Sequence, residues 1–364
     1  MRSGSGQLAG WLAAFFVLYW TSVGCGDNEC VAFGGNPSAC ESPGSSDASV
    51  GDADAWSSEW DADAVAGEAS DAFEEARPPY YPPDASPQQV RALQAVNEYR
   101  AQVSLPLVDE HDKLNAAAQS HAVFLVKNCQ KYAQTGLSPH QQSPDWEGFT
   151  GKLPWDRTKY FGYDESYAIA EVIAFVNNPD QAVKGWIDTL YHRLPLLDPG
   201  LVEIGYGNAA TGSAKCAQSI SRADVMDVAI GPVSDDVIVV YPPDGAKGVP
   251  RSFDGFESPQ PPAPPNGFPS GYIITVQFSK KLGIKVLGHE LVDENGRKLE
   301  HLFVAPFGDP ENDVLKDPNA MGDLYLSMYA YDPLEATTTY TVRIELERGG
   351  KPLTLEWSFT TGNL

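Results

Sequence analysis

The sequence predicts an α+β domain followed by an all-β sandwich, on three observations. Apolar residues recur at helical spacing between residues 85 and 191. A strand-like alternation follows at 202–207. Beyond Gly231-Pro232 the pattern turns to short β-rich runs separated by turn residues. The chain has 364 residues, of which 42% are hydrophobic, enough for two buried cores. With 25 Lys and Arg against 49 Asp and Glu its net charge is −24, and no basic stripe interrupts it. Such a surface repels phosphate backbones, so nucleic acid is not an expected partner.

The first element expected is a leader. Arg2 precedes an uncharged stretch from Leu8 to Val23, the length of a signal-peptide core and short for a membrane span. The stretch ends Ser22-Val23-Gly24-Cys25, which resembles a bacterial lipobox with Ser22 where Leu is usual. The resemblance implies a signal peptide over 1–24 and a lipid on Cys25. A secreted form and an uncleaved anchor are the alternatives. Each places the chain outside the cytoplasm, in a bacterial envelope or beyond it. With Cys25 lipidated, Cys30, Cys40, Cys129 and Cys216 remain, an even number that suggests two disulfides in an oxidising compartment. The pairing expected is Cys30 with Cys40 in a short N-terminal loop, and Cys129 with Cys216 across the first domain. Residues 25–84 read as an acidic, Ser/Ala-rich tether ending in the polyproline-like Pro78-Pro79-Tyr80-Tyr81-Pro82-Pro83.

In the first domain, residues 85–231, Ser86-Pro87 opens a helix carrying Val90, Leu93 and Val96. Asp112 is the expected cap of a second helix, whose Leu114, Ala117, Ala118, His121, Phe124 and Leu125 share a face. A third is expected from about Pro179 to Tyr191, and Val202 to Gly207 as a strand. His121 reads as a satisfied core histidine. His111, His289 and His301 lie among charges and read as solvated. Tyr160, Phe161, Tyr163 and Tyr167 form an aromatic group, for which packing is the usual reading and a lipid- or glycan-contacting rim the other.

The ordered series Asn97-Glu98-Tyr99-Arg100, Leu105-Pro106-Leu107, Leu114-Asn115-Ala116-Ala117, His140 and Gly148-Phe149-Thr150-Gly151 resembles a bacterial CAP domain. The likeness continues through Trp155-Asp156-Arg157, Glu171, Trp186-Ile187-Asp188-Thr189, Tyr191-His192-Arg193 and Glu203-Ile204-Gly205-Tyr206-Gly207. CAP names the cysteine-rich secretory proteins, antigen 5 and pathogenesis-related protein 1. The resemblance implies an α-β-α sandwich with a cleft lined by two His and acidic residues. His140 and His192 match the two cleft His. Glu171 matches the Glu of a Gly-Glu-Asn motif that reads Ala170-Glu171-Val172 here. Thr189 stands at the fourth cleft position, Glu or Ser elsewhere in the family. Glu203 either points into the cleft or caps strand-end amides. His140, His192 and Glu171 together could hold zinc with a water in the open position; otherwise a polar network that stiffens the cleft is expected.

The second domain, residues 232–364, offers strands at Val237–Val240, Ile273–Val276, Leu324–Tyr331 and Tyr340–Ile344. Asn295-Gly296 and Gly349-Gly350 sit at hairpin positions. Tyr241-Pro242-Pro243-Asp244-Gly245, Tyr340-Thr341-Val342 and Trp357-Ser358-Phe359-Thr360-Thr361-Gly362 resemble a bacterial Ig-like domain, implying an antiparallel sandwich with a spacer or adhesion role. Pro259–Pro269 is an extended loop, and no catalytic constellation stands out in this half. The function expected is an envelope or surface binding module for a lipid, glycan or protein ligand. A metal-dependent hydrolase of peptide or cell-wall substrates and a purely structural surface protein are the alternatives.

Overall fold

The computed structural model describes residues 77–163, 166–216 and 220–363. The leader, Cys25, the Cys30–Cys40 pair and the tether up to residue 76 lie outside these. The last residues expected in the tether are fastened to the folded body. The Tyr80 N–H donates to Asp109 Oδ1 at 2.7 Å, and Tyr80 O accepts the Glu110 N–H at 3.0 Å.

The N-terminal half contains α1 (Pro87–Gln102), β1 (Asp109–Glu110), α2 (Asp112–Lys127), α3 (Cys129–Thr135), α4 (Pro154–Tyr160), β2 (Ala168–Ala174), α5 (Pro179–Ile187), α6 (Arg193–Leu196), β3 (Leu201–Ala210) and β4 (Arg222–Ile230). Helix α1 starts where expected: Ser86 and Gln89 form a reciprocal capping box, with Pro87 in the first turn. Helix α2 departs from expectation in its cap. The His111 ring accepts the Lys113 N–H at 3.2 Å, while Asp112 lies inside the first turn, where its charge suits the helix dipole. His111 is therefore a capping group. Helix α5 is capped by Asn178 and ends at Ile187, short of the expected Tyr191. Residues 188–192 instead make a turn into α6, and this turn positions the site.

The sheet order is β1-β3-β4-β2, with β1 parallel to β3 and the other pairs antiparallel. Alternation on β4 sorts the layers. Met226 and Val228 join Leu93, Val96, Val183 and Trp186 of α1 and α5, whereas Val225 packs with Ala118, Ala122 and Leu125 of α2. The expected α-β-α arrangement results. Helix α2 lies directly on β3 because Gly205 and Gly207 present no side chain there: a Cβ on Gly207 would sit 2.2 Å from Gln119 Cα. Asn115 and Gln119 then hydrogen-bond the β3 backbone, Asn115 Oδ1 accepting the Tyr206 N–H at 2.8 Å and Gln119 Nε2 donating to Asn208 O at 2.9 Å. The Cys129–Cys216 disulfide forms as expected and ties α3 to the segment before β4.

The C-terminal half is β-rich. Its strands are β5 (Ile238–Tyr241), β6 (Ala246–Val249), β7 (Ser252–Phe253), β8 (Ser270–Gly271), β9 (Ile274–Phe278), β10 (Ile284–Asp293), β11 (His301–Ala305), β12 (Val314–Lys316), β13 (Tyr325–Ala330), β14 (Thr339–Arg348) and β15 (Lys351–Thr361). They form sheets β10-β14-β15-β6 and β12-β11-β13-β9-β5, with β7 and β8 paired separately. The Gly349-Gly350 turn joins β14 to β15 with φ of 57° and 73°, as a type I′ hairpin requires. The expectation of a wholly antiparallel sandwich is corrected at two places, where β6 runs parallel to β15 and β12 parallel to β11 at sheet edges. His289 and His301 are not solvated singly: Nδ1 of His289 lies 2.8 Å from Nε2 of His301.

Burial pattern distinguishes the two sheets. Strand β14 alternates, with Tyr340, Val342, Ile344 and Leu346 inside. Strands β9 and β13 are buried at every position, the mark of a sheet covered on both faces. The second cover is the α5–α6 region. Arg193 donates to Ile273 O at 2.8 Å, Gln277 Nε2 to Leu194 O at 2.9 Å, and Tyr191 Oη to Asp317 Oδ1 at 2.8 Å. Leu190, Tyr191 and Leu194 share an apolar cluster with Phe253, Ile273, Val304, Tyr325 and Tyr329. Residues 79–363 accordingly form a single compact unit.

Candidate functional site

Two buried histidine–carboxylate pairs make the site. The first is built on the central sheet. Glu171 on β2 stands opposite Asp227 on β4, which stands opposite Gly205 on β3, all on the α2 side. The Glu171 carboxylate lies 2.7 Å from Nδ1 of His140 through Oε1, and its Oε2 receives the Arg157 guanidinium of α4. A second Arg157 nitrogen donates to His140 O at 3.1 Å, so one arginine fixes both the carboxylate and the loop bearing the imidazole. His140, Arg157, Glu171 and Asp227 are all buried.

Electrostatics follows from that enclosure. Burial alone would raise the Glu171 carboxyl, but Arg157, His121 and His140 outweigh it and hold it down at about 2. Asp227 goes the other way: burial first, then the Glu171 carboxylate, push it well above the ordinary range. One of the two carboxyls is thus ionised and the other retains its proton. His121 is a satisfied core histidine. Its Nδ1 accepts from Gln142 at 3.0 Å, so its Nε2 carries the proton and donates to Pro139 O at 2.8 Å. Burial and Arg157 bring it down to about 3, and it stays neutral.

The second pair sits in the turn between α5 and α6. His192 Nδ1 lies 2.6 Å from Oε1 of Glu257, a residue of the loop joining β7 to β8. The same carboxylate accepts the backbone N–H groups of Leu190 at 2.9 Å, Tyr191 at 2.7 Å and His192 at 3.2 Å. Burial nevertheless pushes the Glu257 carboxyl up to about 8, and burial with the neighbouring His140 brings the His192 imidazole well below its usual range. The pair is therefore electrically neutral at pH 7, with a proton between Nδ1 and Oε1. Thr189 closes the turn, its hydroxyl 3.0 Å from Trp186 O and 3.4 Å from His192 Nδ1.

Of the residues expected from sequence, His140 and Glu171 touch, and His140 is a neighbour that disfavours protonation of His192. Thr189 lies beside His192. Glu203 belongs elsewhere: it stands two positions along β3 from Gly205, and its Oε2 accepts the Tyr163 hydroxyl at 2.9 Å. Arg157, Asp227 and Glu257 are the members without an expected role. Asp227 carried a signal, an acidic residue inside the apolar run Val225 to Ile230. Glu257 carried none, because its approach to His192 depends on how the C-terminal half packs.

Residues 93–217 match the family model of the cysteine-rich secretory protein family, CAP. This segment is a CAP domain. The match spans the resemblance seen in sequence and takes in all of the site except Asp227 and Glu257. The CAP domain is followed by the β-rich region that supplies Glu257. Among solved structures the chain is similar to an outer surface protein from Borrelia burgdorferi. That likeness has 18% identity and a TM-score of 0.29, covering 39% of this chain and 90% of that one. No curated protein matches the chain at a significant level.

The zinc expected at His140, His192 and Glu171 would take two imidazoles and one carboxylate as ligands. The donor set does not fit that geometry. Oε1 of Glu171 faces His140 Nδ1 and its Oε2 faces Arg157, so neither oxygen is turned outward. Among the described residues no group of three or more His, Cys, Asp and Glu side chains is placed to hold a metal ion.

Proposed function

We propose that the protein is an extracytoplasmic binding module, exposed on a bacterial surface or envelope, whose CAP domain engages a lipid, glycan or protein ligand without chemical turnover. The observation that carries this reading is the crowding of one ring nitrogen. Thr189 and Glu257 both meet His192 at Nδ1. Nucleophilic catalysis needs the nucleophile on one imidazole nitrogen and the orienting acid on the other. The remaining carboxylate, Glu171, is held by Arg157 and His140 and is not poised as a general base.

An accessible face supports the binding reading. A groove of about 350 Å³ between α2 and the end of α4 is lined by Val123, Phe124, Gly148 and Phe161. Beside these in the chain, Phe149 and Tyr160 are exposed, while Tyr163 turns inward to Glu203. The aromatic group of the sequence thus divides into a packing part and a rim. The Cys129–Cys216 disulfide supports an oxidising compartment. Lipid on Cys25 is the proposed attachment to the membrane, through a lipoprotein signal peptide, and the β-rich region is proposed as an Ig-like spacer. Nucleic acid is not a proposed partner.

The purified chain, tested against phospholipid vesicles and a glycan panel, is expected to bind one of them saturably. Val123→Asp is expected to abolish that binding at unchanged melting temperature. Hydrolysis of casein or peptidoglycan that disappears in His192→Ala would overturn the reading in favour of the hydrolase.

A further inference from the structure

The CAP domain receives the Glu257 carboxylate as a site receives a ligand. Leu190, Tyr191 and His192 turn three consecutive backbone N–H groups onto it, and the His192 ring adds a fourth contact through Nδ1. Consecutive N–H groups converging on one anion form a nest, whose donors are fixed by the chain before any anion arrives. All three backbone donors and the ring belong to the turn between α5 and α6. The acceptor comes from a different part of the fold, 65 residues later. Receptor and occupant are separate pieces.

The delivering loop is built around Glu257. Gly255 has φ of +81°, and a Cβ there would lie 2.5 Å from the Phe268 ring, so only glycine makes this bend. Gly255 O accepts both the Glu257 N–H at 2.9 Å and Gln260 Nε2 at 2.7 Å. Farther along, Tyr329 Oη donates to Pro262 O at 2.6 Å and Asn319 Nδ2 to Gln260 O at 3.0 Å, fastening the loop to the β-rich side. Packing alone does not account for a carboxyl at this place. An apolar side chain would fill the space without the cost of desolvating an acid. With Glu257 seated, His192 is wholly buried and Glu257 itself is 5% exposed.

We propose that the Leu190–His192 turn is a carboxylate-binding site of the CAP cleft, occupied in cis by Glu257, so that the β-rich region keeps the cleft closed to carboxylate ligands from outside. The proposal goes beyond the binding-module reading: it adds a second site, apart from the groove between α2 and α4, whose ligand carries a carboxylate group that must displace Glu257. No bond is made or broken in the exchange.

Chemical rescue tests it. Glu257→Ala removes the CH₂ and carboxyl group at the end of the side chain, a unit the size of acetate. Acetate is expected to bind this variant saturably, raise its melting temperature and shift the His192 ring nitrogen signals towards their wild-type positions. Acetamide and chloride at equal concentration should do neither, and the wild type should not respond to acetate. A folded Glu257→Ala that responds no more to acetate than to acetamide overturns the proposal. Should that variant not fold, Glu257→Gln keeps the volume but sets an NH₂ against a backbone donor of the turn, which loosens the occupant. Acetate-dependent shifts of its His192 signals are then expected, and their absence overturns the proposal equally. Neither result alters vesicle or glycan binding at the groove between α2 and α4, so the two readings fail separately.

Discussion

Glu257 places its Oε1 2.6 Å from Nδ1 of His192, joining a loop of the β-rich region to the centre of the CAP domain. Two consequences follow. His192 is fixed in orientation by a residue the CAP domain does not contain, and the two halves share a buried polar contact as well as an apolar seam. A buried pair of this kind adds less to stability than it does to specificity of docking, because desolvation offsets much of the attraction.

The pH dependence of stability should carry the signature of this pair. The Glu257 carboxyl rises from 4.5 to about 8 on folding, so its contribution is complete below about 4.5 and is lost as pH rises through about 8. His192 and His121 act in the opposite sense. Folding lowers both from 6.5, and their contribution is lost as pH falls below that value. Urea midpoints of the wild type are expected to decline between about pH 6.5 and 8.5. Glu257→Gln should make that decline shallower, leaving the share that protonated Asp227 contributes in the same sense, while keeping the acid limb; an unchanged alkaline limb would refute the assignment.

Glu171→Ala would leave the Arg157 guanidinium buried without its carboxylate. Removing one member of a buried ion pair typically costs about 3–5 kcal/mol. His140 also loses its Nδ1 partner. Equilibrium denaturation is expected to show a loss in that range. A loss under about 1 kcal/mol would mean that water reaches the pair and that its enclosure is incomplete.

Much of this was legible in the chain, and the exceptions have physical causes. The α1 cap, the β3 strand and the Gly349-Gly350 turn are local, set by residues within a few positions of one another, and each forms as expected. Helix α5 ends before its expected limit because Leu190 and Tyr191 are apolar at helical spacing, yet they face the β-rich region from a turn. His140 and Glu171 are found only through a family likeness, since nothing in their spacing makes them meet. Glu257 escapes sequence reasoning because a long-range contact between two halves leaves no periodic trace. Glu203 groups with the cleft residues by likeness, but strand alternation puts it on the α2 side two positions from the row that holds Asp227 and Glu171, where Tyr163 takes it.

Cys129→Ser should weaken the CAP domain without disturbing its site. The bridge closes a loop with a sequence separation of 87, for which loop-closure entropy gives about 4–5 kcal/mol at most. Both cysteines lie in the apolar cluster with Phe124, Leu125 and Tyr132. A lower denaturation midpoint with unchanged His140 and His192 nitrogen signals is expected. Shifted ring signals would show that the disulfide also shapes the site.

Calorimetric titration with zinc bears on the metal. With both Glu171 oxygens engaged, stoichiometric tight binding is not expected from the wild type, and His140→Ala/His192→Ala should titrate like it. One tight zinc per chain, lost in the double variant and with folding shown by circular dichroism, would mean that Glu171 swings away from Arg157 to meet the ion.

Gly207→Ala tests the contact on which the layer order depends. Helix α2 approaches β3 so closely that an added methyl would lie 2.2 Å from Gln119 N and Cα, backbone atoms that cannot move without the helix. The same displacement would break the Gln119–Asn208 hydrogen bonds and, one turn earlier, the Asn115–Tyr206 bond. Overpacking against flexible side chains costs about 1–3 kcal/mol. Against backbone the loss should exceed that range, and little folded protein should accumulate. Gly212→Ala makes the matched control, since a Cβ there meets nothing within 4 Å and its φ is not in the left-handed region. Its stability should stay within about 0.5 kcal/mol of wild type. Equal behaviour of the two variants would mean that α2 does not lie directly on β3.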